Sequence, residues 1–176
     1  SSLSKLANNK QLCYEFMEKN GIEILPINYK EVPAVKKPID GHGGQGVVMI
    51  NEKESFESSF VYQKPCATLG KDLRVWAIGN DIITSILRES DTDFRSNFCL
   101  GGRATPYKMN EEEKILVKRI LSLVESDYIG IDFLFDGGHL IFNEIEDTVG
   151  ARMVYDKTDI DIIKLYCDYI KKQRVK

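Results

Sequence analysis

The chain has 176 residues, 43% hydrophobic and 29% charged, with a formal net charge of −3. That length can bury a real core as one domain or two small lobes. The slightly acidic balance argues against a broad nucleic-acid footprint, so any anion site must be local, built from a few Lys, Arg and backbone N–H groups.

Asn9 is placed to cap a helix over residues 10–20, with Leu12, Phe16 and Met17 at helical spacing and Gly21 as its stop. Residues 22–25, ahead of Pro26, read as a short strand, and 34–38 as a second. The second runs into Asp40-Gly41-His42-Gly43-Gly44-Gln45-Gly46 and then the apolar run 47–50, a strand–glycine loop–strand unit. Residues 60–63 form another short strand. Residues 72–78 and 81–87 flank Gly79-Asn80, whose tolerance of positive φ makes a hairpin. Residues 91–102 read as a polar loop ending in glycine.

Asn110 and Glu113 make a capping pair for a helix to residue 126, with Ile115, Ile120, Leu123 and Val124 in its buried stripe. Residues 128–135 and 139–145 are strands joined by Asp136-Gly137-Gly138. Thr158 and Asp161 open a last helix with Ile162, Ile163, Tyr166 and Ile170 on its apolar face. It closes in Lys171, Lys172 and Arg174, which suit the negative end of its dipole. Hairpins interleaved with helices predict an α+β fold of mainly antiparallel sheet. A seam near 62–68 would divide a small N-terminal lobe, 1–62, from a larger C-terminal lobe, 63–176.

Three constellations carry chemistry. Lys37-Pro38 precedes Gly41, Gly43, Gly44 and Gly46, and such a loop leaves backbone N–H groups open to phosphate oxygens. It has neither P-loop nor dinucleotide-fold order, and a plain glycine-rich turn is the alternative. Glu144 and Glu146 share a strand face, with Asp132 on the preceding strand. Three converging carboxylates repel unless a cation such as Mg²⁺ sits among them; scattered acids on a solvated edge are the alternative. Arg74, Arg88, Arg95 and Arg103 suit bidentate contact with phosphate or carboxylate, or else Arg74 and Arg88 join exposed cross-strand ion pairs.

The four cysteines show no CxxC spacing, which argues against zinc and against a disulfide framework and for reduced thiols; Cys99 reads as structural. His42 and His139 have no triad partners. No apolar run has bilayer-spanning length, and the start does not read as a signal peptide.

In this order the pieces resemble the ATP-grasp superfamily, and within it the RimK-type glutamate ligases, over essentially the whole chain. The sharpest segments are Gly70-Lys71-Asp72-Leu73-Arg74-Val75, Asp93-Phe94-Arg95-Ser96-Asn97, Gly101-Gly102, Gly130-Ile131-Asp132-Phe133-Leu134, and Asn143-Glu144-Ile145-Glu146 with Gly150. The resemblance implies two lobes with ATP between them. It implies phosphate contacts from Lys10 and Lys37, and a loop of Gly43, Gly44 and Gly46 closing over the phosphates. Gln63, with Lys64 and Cys66, would stand at the hinge that reads adenine. Asp132, Glu144 and Glu146 would hold one or two Mg²⁺ ions, with Mn²⁺ as a substitute. Arg74, Arg95 and Asn97 would lie near the γ-phosphate and acyl substrate.

The activity implied is ADP-producing ligation of a carboxylate to an amine through an acyl phosphate, with glutamate or another amino acid as the amine. Substrates would be small molecules or peptides, with no nucleic acid and no membrane; the location implied is cytoplasmic, and a homo-oligomer is left open. Three departures stand out: Glu146 where relatives usually have Asn, Gln63 where they commonly have Glu, and a short stretch over 25–35. Relatives also carry a further N-terminal domain, so a longer chain is expected. Glu146 keeps a second reading in view, a non-catalytic ATP-binding or regulatory module.

Overall fold

The computed structural model describes residues 2–41, 43–96 and 102–174. Strands β1 (Ala34–Pro38), β2 (Val48–Ile50) and β3 (Phe60–Gln63) form a small antiparallel sheet in the order β2–β1–β3. Strands β4 (Thr68–Ile78), β5 (Asp81–Glu89), β6 (Arg103–Pro106), β7 (Tyr128–Asp136) and β8 (His139–Glu146) form a larger one, ordered β6–β5–β4–β7–β8 and antiparallel throughout. The helices are α1 (Ser2–Ala7), α2 (Lys10–Lys19), α3 (Glu111–Leu123), α4 (Arg152–Lys157) and α5 (Ile162–Arg174). This is the expected α+β class, and among the described residues no helix is long and apolar enough to cross a membrane.

Alternation along the strands gives the larger sheet two unlike faces. Leu73, Val75, Ala77, Ile129, Ile131 and Phe133 look toward α1, α2 and α3, which bury Leu3, Tyr14, Met17, Val117 and Ile120 against them. Each large apolar side chain enclosed there contributes roughly 1.5–3 kcal/mol. The opposite face is divided. At one end Trp76, Ile78 and Ile86 meet Val149, Val154 and Ile162. At the other end the same strands present Asp72, Arg74, Arg88, Asp132, Glu144 and Glu146 to a cleft shared with the small sheet.

Local signals act as the sequence predicts at both capped helices. The Asn9 side chain accepts from the Leu12 N–H at 2.9 Å, and Gly21 follows the helix at φ 71°. Asn110 and Glu113 exchange side-chain-to-backbone bonds of 2.9 and 2.8 Å.

Other expectations are corrected. Residues 22–25 make one bridge, Ile24 to Phe142, instead of a strand, because Ile22 and Leu25 turn into the interior just before Pro26. Ile115 is 66% exposed, since α3 buries the i, i+3, i+4, i+7 stripe of Val117, Ile120, Leu121 and Val124. Ile163 is likewise exposed, because α5 lies down on Ile162, Tyr166 and Tyr169. The short elements α1, α4 and β6 were not foreseen.

Candidate active site

Strand register builds the acidic row. Arg74 of β4 stands opposite Asp132 of β7, which stands opposite Glu144 of β8. Glu146 lies two residues further along, opposite Gly130, where a Cβ would fall 2.6 Å from Val149 Cγ2 and 3.1 Å from Glu146 Cβ. Ligand oxygens of Asp132, Glu144 and Glu146 all lie within 4.8 Å of one another.

One participant was missed from the sequence. Phe142 and Ile145 are both buried on the core face although three residues apart, so β8 must carry an extra residue between them. The register indeed shifts between Asp132 and Phe133, and the bulge turns Asn143 as well as Glu144 into the cleft. The break of parity between 142 and 145 was the available signal.

Cations of the protein neutralise the row. Arg74 donates through Nε and Nη2 to the two oxygens of Asp132 at 2.7 and 2.6 Å, and through Nη2 to Glu146 at 2.6 Å. Arg88 donates to both oxygens of Asp72 at 2.5 and 2.7 Å and to Asp132 at 2.8 Å. Both arginines do make cross-strand ion pairs, but not on an exposed face: Arg88 is buried and Arg74 half-buried among carboxylates. Lys10 donates to Glu144 at 2.9 Å and to the Gly41 carbonyl.

Burial works to raise the Asp132 carboxyl, but the Arg74 and Arg88 guanidiniums override it and bring it down to about 2. Glu146 moves the other way: burial raises it, and Arg74 only partly opposes this. Clustered hard oxygens of this kind fit Mg²⁺ or Mn²⁺, and the fit does not depend on soft ligands.

The remaining walls are cationic, apolar or glycine. Lys37 is buried and donates to Asn143 Oδ1 at 2.9 Å and to the Tyr14 hydroxyl at 3.1 Å. Gly43 and Gly44 line the cleft at φ 62° and 74°, whereas Gly46, at φ 69°, packs on Pro38 and is not part of the lining. Arg95 is held by Asp93 at 2.7 Å and donates to the carbonyls of Gly44 and Val47 at 3.3 and 3.4 Å, tying the glycine loop to the segment after β5.

Gln63 is buried and donates to the Leu25 carbonyl at 3.3 Å. Lys64 lines the cleft with its N–H committed to the Pro26 carbonyl at 2.9 Å, and Cys66 lines it with its thiol on the Thr68 carbonyl at 3.2 Å. Leu25, Val35, Leu69 and Leu134 add apolar surface to the cleft, which is open to solvent at its mouth. Asn97, like His42 and Cys99, lies outside the described residues.

Comparison with known proteins gives the family and the fold. A family model for the RimK-like ATP-grasp domain matches residues 7–170. A probable alpha-L-glutamate ligase of Maridesulfovibrio salexigens is 29% identical over 152 residues, 80% of this chain and 50% of its own length. Human N-acetylaspartylglutamate synthase A is 28% identical over 159 residues, 84% of this chain and 40% of its own. The chain thus spans about half the length, or less, of these curated relatives. The solved ATP-grasp ligase PsnB, complexed with minimal precursor, Mg and ADP, shares the fold with a TM-score of 0.72 at 18% identity, over 93% of this chain and 58% of that one. ATP and Mg²⁺ are the cofactors of ATP-grasp ligases, and by its sequence and its fold this chain belongs to the RimK-like ATP-grasp domain family.

Proposed function

We propose that this chain is the catalytic part of an ATP-dependent carboxylate–amine ligase, joining an amino acid, glutamate among the candidates, to a small-molecule or peptide carboxylate through an acyl phosphate. One observation carries the reading: the acidic trio, two lysines from other elements and a glycine loop all line a single cleft. Bound ATP with its metal supplies the phosphoryl group and the positive charge that phosphoryl transfer requires.

The chain's own residues would do the rest. Asp132, Glu144 and Glu146 hold the cation. Lys10, Lys37 and the N–H groups of the glycine loop hold phosphate oxygens. Val35 and Leu134, with Gln63, Lys64 and Cys66, line the part of the cleft that would take the adenine ring. Arg74 would stabilise developing negative charge, and Arg95 would fasten the loop that keeps water out. The division into lobes at 62/63 and a cytoplasmic location belong to the same reading; Cys13, Cys66 and Cys167 are free thiols.

A screen of ADP release against paired acids and amines, over amino acids and dipeptides, tests it. Release that needs both partners and stops with chelator is expected. Tight ATP binding with no acceleration by any pair would instead favour a non-catalytic nucleotide-binding module, the reading that Glu146 keeps in view.

Lys37 adds a pH signature. Burial, with Lys10 acting in the same direction and Glu144 against it, brings its ammonium down from 10.5 to about 8. An unfolded chain keeps that proton up to 10.5, so between about 8 and 10.5 rising pH adds stability to the ligand-free protein through this residue. Phosphate binding needs the charged form and weakens over the same window. The increase in melting temperature produced by ADP is therefore expected to shrink between about pH 7 and about pH 9.5, and less so in Lys37→Gln.

A further inference from the structure

Between Asp132 and Glu146 of the acidic trio there is already a cation, and it belongs to the protein. Arg74 holds both oxygens of Asp132 and one of Glu146. Arg88 reaches only Oδ2 of Asp132 and is anchored elsewhere, by two bonds to Asp72. The two guanidiniums also differ in freedom. The Arg88 side chain is 5% exposed, whereas that of Arg74 is 15% exposed and its second partner Glu146 is 24% exposed. A carboxylate offers about four lone-pair sites, so the Arg88 contact leaves Asp132 able to take a metal. An ion ligated by Asp132, Glu144 and Glu146 together competes with Arg74 for Asp132 Oδ1, the oxygen that Arg88 does not touch, and for the Glu146 carboxylate.

The geometry points to Arg74 as an internal stand-in for the divalent cation, displaced from Glu146 and from Asp132 Oδ1 when the ion arrives with its nucleotide, and to Arg88 as the fixed positioning residue that holds Asp132 in place. This rests on the reading of the trio as a metal site and deepens it, by assigning the order in which ion and nucleotide are taken up. Asp72, Asp132, Glu144 and Glu146 are matched by Arg74, Arg88 and Lys10, with Lys37 close by. A bare dication added to so nearly balanced a cluster gains little Coulomb energy and evicts a guanidinium with nowhere to go. Phosphates change both terms. They bring the negative charge that admits the metal, and they give the released Arg74 a planar, bidentate partner. The metal therefore enters as a complex with nucleotide, and Glu146 keeps a charge partner in the ligand-free protein through Arg74.

Titration with Mn²⁺ followed by electron paramagnetic resonance, without nucleotide, tests this on the wild type, Arg74→Gln, Arg74→Lys and Arg88→Gln. The wild type is expected to bind Mn²⁺ weakly and Arg74→Gln more tightly by on the order of tenfold or more. Arg74→Lys, whose compact ammonium cannot span three oxygens, gains less, and it keeps the comparison readable if the glutamine variant folds poorly. Arg88→Gln gains less than Arg74→Gln, because a loosened Asp132 is a poorer ligand. The proposal is overturned if neither Arg74 variant binds Mn²⁺ more tightly than the wild type, or if Arg88→Gln gains as much, which would make the effect one of bulk charge. A parallel titration with ATP separates the two levels. Mn²⁺ uptake by the wild type with ATP but no gain in the Arg74 variants alone sinks the displacement only. No uptake by any protein under either condition sinks the metal site and the displacement together.

Discussion

Glu144→Gln is expected to cut ATP turnover by at least about a hundredfold while leaving the protein folded. The Glu144 side chain is partly exposed, and the bond its carboxylate makes is to Lys10, which also donates to the Gly41 carbonyl. A glutamine amide oxygen can still accept from Lys10, so the stability cost is about 1–2 kcal/mol. Asp132→Asn gives a different pattern. Asp132 is 3% exposed and shared by Arg74 and Arg88, so an amide leaves one buried and one half-buried guanidinium short of a carboxylate. That change costs more stability than Glu144→Gln, about 3 kcal/mol, as well as turnover, although Arg74 keeps Glu146 and Arg88 keeps Asp72. Steady-state ADP release together with thermal melts checks the pair: equal losses of activity with unequal losses of stability.

Gly70→Ala is the second large effect, and it starts in the backbone. Gly70 sits at φ 66°, and a Cβ there would fall 2.5 Å from the Ser90 carbonyl oxygen and 3.0 Å from that of Asp93. Both obstacles are main chain, so no side-chain rotation relieves them. The Gly70 N–H donates to the Phe94 carbonyl at 2.8 Å, and the Ser90 N–H returns a 2.8 Å bond to Gly70. These bonds lash the 90–96 segment, with Asp93, Arg95 and Ser96, to β4. Left-handed backbone costs a non-glycine residue about 1–2 kcal/mol and the overpacking about 1–3 more. At this chain length the sum lowers the melting temperature by roughly 5–15 °C. Nucleotide affinity is expected to fall too, because Arg95 would lose its hold on the Gly44 and Val47 carbonyls. Gly137→Ala is the control: φ there is 58° but nothing lies within 4 Å of the added Cβ, so only the backbone cost applies.

Much of this was readable before any coordinates. The Asn110–Glu113 capping box, the glycine loop between β1 and β2, and the spacing of Glu144 and Glu146 are local signals, and local signals survive folding. What could not be read is what separate strands and helices do to one another. Lys37 finds Asn143 across 106 residues and Tyr14 across 23, and Lys10 finds Glu144 across 134. The β8 bulge is a compromise between two core residues, visible only as a break in alternation. Ile163 lies one helical step off its buried stripe and Ile115 nearly opposite its own, a difference that the packed partner decides.

The central claim is that a divalent cation held by Asp132, Glu144 and Glu146 grips the phosphates beneath the glycine loop. Calorimetric titration of ATP with Mg²⁺ and then with chelator tests it most directly. On this account chelator weakens wild-type binding by at least about tenfold, and Glu144→Gln binds ATP equally poorly with and without the metal. Wild-type affinity that is the same in chelator as in Mg²⁺ would contradict it.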